Sequence, residues 1–206
     1  MFMPRPTEGM SLEKKVDLLM SEREIRDVLY RDCRAKSRCD VDLMKSCFYP
    51  EAVDYHQPFF TLPVKDLFDH FAKWSPYSAE MVEYFTTQVL IDIQGDVAHV
   101  ESYQMSAKVF HERTESGNQQ IRLSGHRNLD RFERRDGSWR IAERRFIPEW
   151  GFFKEVSPLE RSISSYGPGT EADRVFAARA NEQSGDSESP GTIAFTRDAT
   201  DPSYHF

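Results

Sequence analysis

Ser124, His126, Asn128 and Asp130 alternate along the stretch QIRLSGHRNLDRFERR. In an extended chain, side chains two residues apart share a face, so a hydroxyl, an imidazole, an amide and a carboxylate are offered to one surface. An imidazole of ordinary pKa, near ~6.5, exchanges protons at neutral pH, which makes His126 the expected principal acid or base. An amide such as Asn128 both gives and accepts hydrogen bonds and suits substrate binding. Tyr84, if turned inward, is a further candidate, as a hydrogen-bond donor or an acid. A tyrosine donates a hydrogen bond as it stands, but its pKa near ~10 must fall before it serves as a base. No His/Cys/carboxylate cluster has metal-ligand spacing, and there is no glycine-rich phosphate loop and no GxSxG motif. The expected chemistry uses neither metal nor cofactor. The other polar groups read more plainly: Asp130 with Arg131, Arg134 and Arg135 as a cross-strand ion-pair set, and His56 and His70 as loop and helix-surface residues. Asp32 and Asp40 carry little catalytic promise.

The elements that must hold these residues are legible from hydrophobic period. Ile25, Val28 and Leu29 recur at helical spacing in a long first helix. A break follows at Arg38-Cys39-Asp40, with Asp40 as N-cap of a short helix VDLMKSCF, which Pro50 ends. AVDYH is a short strand, and PVKDLFDHFAKW a third amphipathic helix. After Trp74 the period changes to alternation. Four strands are expected within residues 81–149, VEYFTTQVLIDI, VAHVESYQMSAKVF, QIRLSGHRNLDRFERR and SWRIAERRFIP, with turns at Gly95 and at Asp136-Gly137. Helices first and an antiparallel meander afterwards imply an α+β fold, a curved sheet packed on helices and enclosing a cavity.

The chain has 206 residues, 39% of them hydrophobic and 15 of them Phe, enough for one real core. Its formal net charge of −7 argues against a nucleic-acid partner. No apolar run approaches the ~20 residues of a membrane span, and MFMPRPTEGMSLEKK lacks the apolar core of a signal peptide. The three cysteines, Cys33, Cys39 and Cys47, form no CxxC and read as free thiols in a cytoplasmic protein. We expect a flexible N-terminus over residues 1–10, a domain over 11–150, and a partly irregular extension over 151–206. The extension is rich in Ser, Gly, Pro and acidic residues, with ADRVFAARA as a short helix and Trp150, Phe152 and Phe153 at its start, suited to covering the pocket or a neighbouring subunit.

The opening EREIRDVLYRDCRAKSRCDVDLMKSCFYPEAVDYH, the hairpin IDIQGDVAHVESY and the closing GHRNLDRFERRDGSWRIAER together resemble the SnoaL-like branch of the nuclear transport factor two-like superfamily. The resemblance implies a cone-shaped curved mixed sheet wrapped around N-terminal helices, an α+β barrel with a blind apolar pocket. Scytalone dehydratase, hexachlorocyclohexane dehydrochlorinase and the bile acid dehydratases share this scaffold, as do non-catalytic dioxygenase β subunits, so fold alone licenses no activity. Dehydratases and dehydrochlorinases of this group pair an Asp late in the first helix with a His on the first long strand. Here those positions resemble Ser37 and Tyr84, which are expected to face each other across the pocket, and Gln88 stands where an Asn is common. Tyr55 and Asn128 resemble a water-orienting tyrosine and a substrate-binding asparagine of scytalone dehydratase, and His111 resembles a second pocket histidine. The resemblance also implies a homodimer or homotrimer paired through the outer face of the sheet.

Two classes of function fit. One is a cofactor-independent lyase that abstracts a proton from a hydrophobic aromatic or polycyclic molecule and expels water, formaldehyde or a similar small group; an isomerase or cyclase follows the same logic. The other is a non-catalytic binding or partner subunit, favoured by the missing Asp–His pair. Polar groups on one face of the third long strand weigh towards the enzyme, since a purely structural core would carry aliphatics there.

Overall fold

The computed structural model describes residues 7–56 and 59–156. Residues 1–6 and 157–206, including the expected ADRVFAARA helix, lie outside the described residues. The elements run α1 (Leu12–Arg38), α2 (Val41–Ser46), β1 (Phe48–His56), β2 (Phe60–Pro63), α3 (Val64–Ser78), β3 (Ala79–Gln94), β4 (Val97–Arg113), β5 (Gln119–Arg135) and β6 (Ser138–Val156). The strands form a single curved sheet in the order β2-β1-β6-β5-β4-β3. Its one parallel pair is β1 with β6, and all other neighbours are antiparallel. This is the expected α+β cone, with a mixed sheet.

Local chemistry sets the boundaries. The Ser11 side chain caps α1 by accepting from the Lys14 N–H, and Cys39 ends it in the left-handed region with φ of 56°. Asp40 caps α2 through the Leu43 N–H at 2.9 Å. Asp136 and Gly137, with φ of 51° and 77°, make the tight turn from β5 to β6. Two strand features depart from the sequence reading. β1 starts at Phe48 rather than after Pro50, because a register shift between Phe48 and Val53 gives the proline a place outside the regular ladder. β2 is an additional four-residue strand, too short to show a period.

Ile25, Val28 and Leu29 of α1 pack on Val100, Phe132, Trp139 and Ile141 of the sheet, and Phe48 meets Phe68 of α3 edge-on at 5.4 Å. This core closes one end of the cone. Towards the other end the inner face turns polar, along the rows Tyr84–Ser106–Ser124 and Thr86–Gln104–His126 that the strand register brings into line. Among the described residues no helix is long and apolar enough to cross a membrane.

Candidate active site

Between the inner face of the sheet, α1 and α3 lies a cavity with a small inner chamber of about 150 Å³ and a wider outer one of about 650 Å³. His56, Tyr84, Arg122, Ser124, His126 and Phe146 line both chambers, so the two are continuous. The outer volume falls within the range of small-molecule pockets.

The floor of the inner chamber is an ion network. Arg144 of β6 places Nε and Nη2 on the two carboxylate oxygens of Asp130 at 2.8 Å and Nη1 on Asp32 Oδ2 at 2.8 Å. Lys36 Nζ sits 2.8 Å from the same Asp32 oxygen. Burial raises the Asp32 pKa, but the charges of Arg144 and Lys36 outweigh it and hold the carboxyl below its ordinary value. Asp130 therefore belongs to the cavity and not to the expected surface set. Arg131, Arg134 and Arg135 pair instead with Glu133, with Asp17 and Asp96, and with Glu51 and Glu133.

His126 is buried in the wall with Nε2 3.2 Å from Gln104 Oε1. Gln104 spends its NH₂ on Thr86 Oγ1, so its oxygen faces the ring, which makes Nε2 the protonated nitrogen and Nδ1 the lone pair. Burial, together with the Lys36 and Arg144 charges, pushes the His126 pKa down to about 3. The half-titrated imidazole expected from sequence is thus a neutral one, because strand alternation buries it and aims it at two cations. The unfolded chain takes up this proton near pH ~6.5, whereas the fold does not until about 3. Stability is then full above ~6.5 and falls on acidification by up to about 1.4 kcal/mol per pH unit. His126→Gln should flatten the fall in melting temperature between pH 7 and pH 5; an unchanged acid slope would refute it.

Beside His126 stands a group that sequence reading passed over. His56 stacks on Phe146 with ring centroids 3.7 Å apart, and His126 approaches Phe146 at 4.6 Å, so two imidazoles bracket one phenyl ring. The buried nitrogen of His56, Nδ1, lies 3.4 Å from Asp54 Oδ1. Neither atom has a hydrogen-bond partner among the described residues, so the pair is a contact within ion-pair range rather than a formed hydrogen bond. Catalytic pairs of this kind often tighten only when substrate binds. Asp54 is itself buried in the inner chamber. His56 is therefore a cavity residue, not a loop residue, and Asp32 and Asp54 are cavity carboxylates.

The other expected site residues fall in different places. Tyr84 lines both chambers, and burial pushes its hydroxyl up to about 12, against the pull of Arg122, so it is a donor. Asn128 lines the inner chamber, and its Nδ2 is buried without a hydrogen-bond partner among the described residues. Ser37 does not line the cavity. Its Oγ donates to the Cys33 carbonyl and accepts the Tyr84 N–H at 2.9 Å, while Cys33 Sγ donates to the Tyr84 carbonyl at 3.0 Å. Helix α1 thereby caps the free backbone of edge strand β3 where Tyr84 enters the site. Tyr55 points to the opposite face of β1 from Asp54 and His56, and its ring lies under Arg145 at 4.5 Å. Gln88 is exposed in the β3 bulge beside Thr87, and His111 is exposed in the irregular end of β4, beyond the cavity.

Residues 17–145 match the SnoaL-like domain. The chain belongs to that family. Solved structures of the same fold include hexachlorocyclohexane dehydrochlorinase LinA-type3 from Novosphingobium barchaimii, with 15% identity and a TM-score of 0.57 over 70% of this chain and 95% of that one. A putative scytalone dehydratase from Novosphingobium aromaticivorans aligns with 13% identity and a TM-score of 0.58, over 70% of this chain and 96% of the other. A protein of unknown function from Mycobacterium tuberculosis aligns with 19% identity and a TM-score of 0.55, over 88% of this chain and 99% of its own. No curated protein matches the sequence. These likenesses concern the fold.

Proposed function

We propose that this SnoaL-like protein is a cofactor-independent lyase for a hydrophobic aromatic or polycyclic small molecule. The observation that carries the reading is the Asp54–His56 pair, held against Phe146 at the mouth of a polar-floored cavity. Asp54 holds the proton on Nδ1 and leaves Nε2 of His56 as the base. For loss of water, Nε2 takes a proton from the carbon next to the C–O bond, the C–H electron pair becomes the new π bond, the C–O bond breaks, and the departing hydroxide takes the proton back from the imidazolium. For loss of formaldehyde, Nε2 takes the hydroxymethyl O–H proton, the O–H pair becomes the C=O bond, the C–C bond breaks, and the carbon that keeps its electron pair receives the proton. The Asp54 carboxylate stabilises the imidazolium that forms. Tyr84, protonated throughout the working range, donates a hydrogen bond to departing or activating oxygen. Asn128 offers its unpartnered Nδ2 to a substrate oxygen, and neutral His126 serves as a hydrogen-bonding wall rather than the principal base. Phe60, Phe71 and Phe146 supply faces on which an aromatic ring stacks.

A binding or partner-subunit reading has one observation on its side: Ser37 is spent on backbone contacts, so the position resembling the dehydratase aspartate does no chemistry. The test is incubation of hydroxylated bicyclic and diaryl compounds with the protein, followed by mass spectrometry for loss of water or formaldehyde. Conversion of any supports the lyase; tight binding with no conversion of any sinks it in favour of the binding module. A homodimer or homotrimer fits the exposed outer-face residues Phe85, Met105 and Trp150, set in line by the register of four strands with Gly125 buried under the Trp150 ring. Three free thiols fit a reducing, cytoplasmic setting.

A further inference from the structure

Arg122 stands apart from the charges of the cavity floor. It lies on β5 two residues before Ser124 and four before His126, on the same inner face, and it lines both chambers. Arg144 and Lys36 are committed to Asp32 and Asp130, and Glu149 at the mouth is held by Arg127. Arg122 has no ion pair among the described residues, and its Nε is buried with no hydrogen-bond partner. Lys108, opposite it in the β4–β5 register and 2% exposed, also lines the outer chamber. A buried donor without a partner is destabilising, and a guanidinium more so, unless a ligand supplies the acceptor.

Resting on the reading of this cavity as the substrate site, we infer that Arg122 binds an anionic oxygen group of the substrate, a carboxylate or a phenolate. A guanidinium meets either with charge-assisted hydrogen bonds and takes a carboxylate through two parallel ones. The Tyr84 hydroxyl lines the same chambers, stays protonated, and is positioned to donate to the same group. Position along the strand then limits substrate length. Four residues of strand put about 13 Å between the α-carbons of Arg122 and His126, and the proposed base His56 stands next to His126 across the Phe146 ring, so one or two aromatic rings span the gap from charge to base. The substrate class is therefore an aromatic acid, or a phenol acidic enough to ionise, whose reacting carbon lies one or two rings from its charge. The fit explains why a cavity walled by phenylalanines keeps a cation whose neighbours do not pair with it.

The experiment compares matched charged and neutral probes by titration calorimetry at pH 8 on the full chain: naphthoate against naphthamide, and nitrophenolate against nitroanisole. At least one charged probe should bind about tenfold or more tightly than its neutral counterpart. The pair that shows the preference tells carboxylate from phenolate. In Arg122→Met, of similar length and no charge, the two members of that pair should bind within about twofold of each other, with the neutral probe little changed. Arg122→Gln gives the same reading should the methionine variant fail to fold. No charge preference in the wild-type chain, a preference that survives both substitutions, or no binding of any probe overturns the inference. His56→Ala separates it from the proposed reaction, because that variant should keep the charge preference even where turnover is lost or was never present.

Discussion

His56→Ala is expected to lower turnover by about 100-fold or more, the usual contribution of a positioned general base, with little change in the apparent affinity for substrate. Asp54→Asn should approach the same loss although it keeps shape and burial. An amide oxygen can still accept from Nδ1, but it carries no charge to stabilise the imidazolium, and the amide can turn its NH₂ to the ring and favour the wrong tautomer. The two single losses should not add, because Asp54 acts through His56. His126→Ala should act chiefly on KM, since an imidazole with a pKa of about 3 is a poor base at neutral pH. The order of effects is the measurement that decides. A large loss of kcat in His126→Ala with a small one in His56→Ala would move proton transfer to the strand position first favoured by sequence, and would leave the Asp54–His56 pair a structural contact.

The second large effect is on stability. Arg144→Ala is expected to cost about 3–5 kcal/mol in denaturant unfolding, because it strands two buried carboxylates that now share one guanidinium. Arg144 is 2% exposed, Asp130 3% and Asp32 0%, so water cannot take over the lost contacts. The arginine also covers the Phe48 ring at 5.0 Å, and truncation removes that packing too. Arg144→Met combined with Asp130→Asn should recover much of the loss, since Asp130 then carries no unpaired charge and Asp32 keeps Lys36 as its counter-ion. An Arg144→Ala protein within about 1 kcal/mol of wild type would mean that the network relaxes into solvent and does not brace the floor of the site.

Much of the scaffold was legible because its local signals agree with one another. The Asp40 cap, the Asp136-Gly137 turn and the change of period after Trp74 each follow from backbone chemistry within a few residues. The inner face of β5 was legible for the same reason: polar residues at every second position announce a wet cavity. β1 misled. In AVDYH the apolar-looking set is Val53 and Tyr55 and the polar set is Asp54 and His56, and hydrophobic-in, polar-out patterning turns the wrong set inward. Such inversions are expected where a face lines a functional cavity. Ser37 and Tyr84 were placed by resemblance alone, and that could not show that α1 spends the serine hydroxyl on the backbone of β3. Arg144 was hidden in the run ERRF, where Glu143 and Arg145 pair on the outside while Arg144 turns in. Only the pairing of β6 with β5 reveals the difference.

The parallel joint between β1 and β6 has a consequence for the order in which the site is built. The meander β3–β6 is made of neighbours in sequence, and by itself carries Tyr84, Arg122, Ser124, His126, Asn128 and Phe146. Asp54 and His56 arrive only when β1 registers with β6, where Asp54 meets Arg144 and Tyr55 meets Arg145 across the greater part of the domain. Closing so long a loop carries a larger entropic cost than any hairpin of the meander, and its contacts reward the chain late. A nascent or partly unfolded chain can thus possess a recognition surface for a ligand while lacking its base. Proton transfer becomes a property of the completed fold alone, and a ligand held by the meander favours completion by mass action when it binds the closed state more tightly.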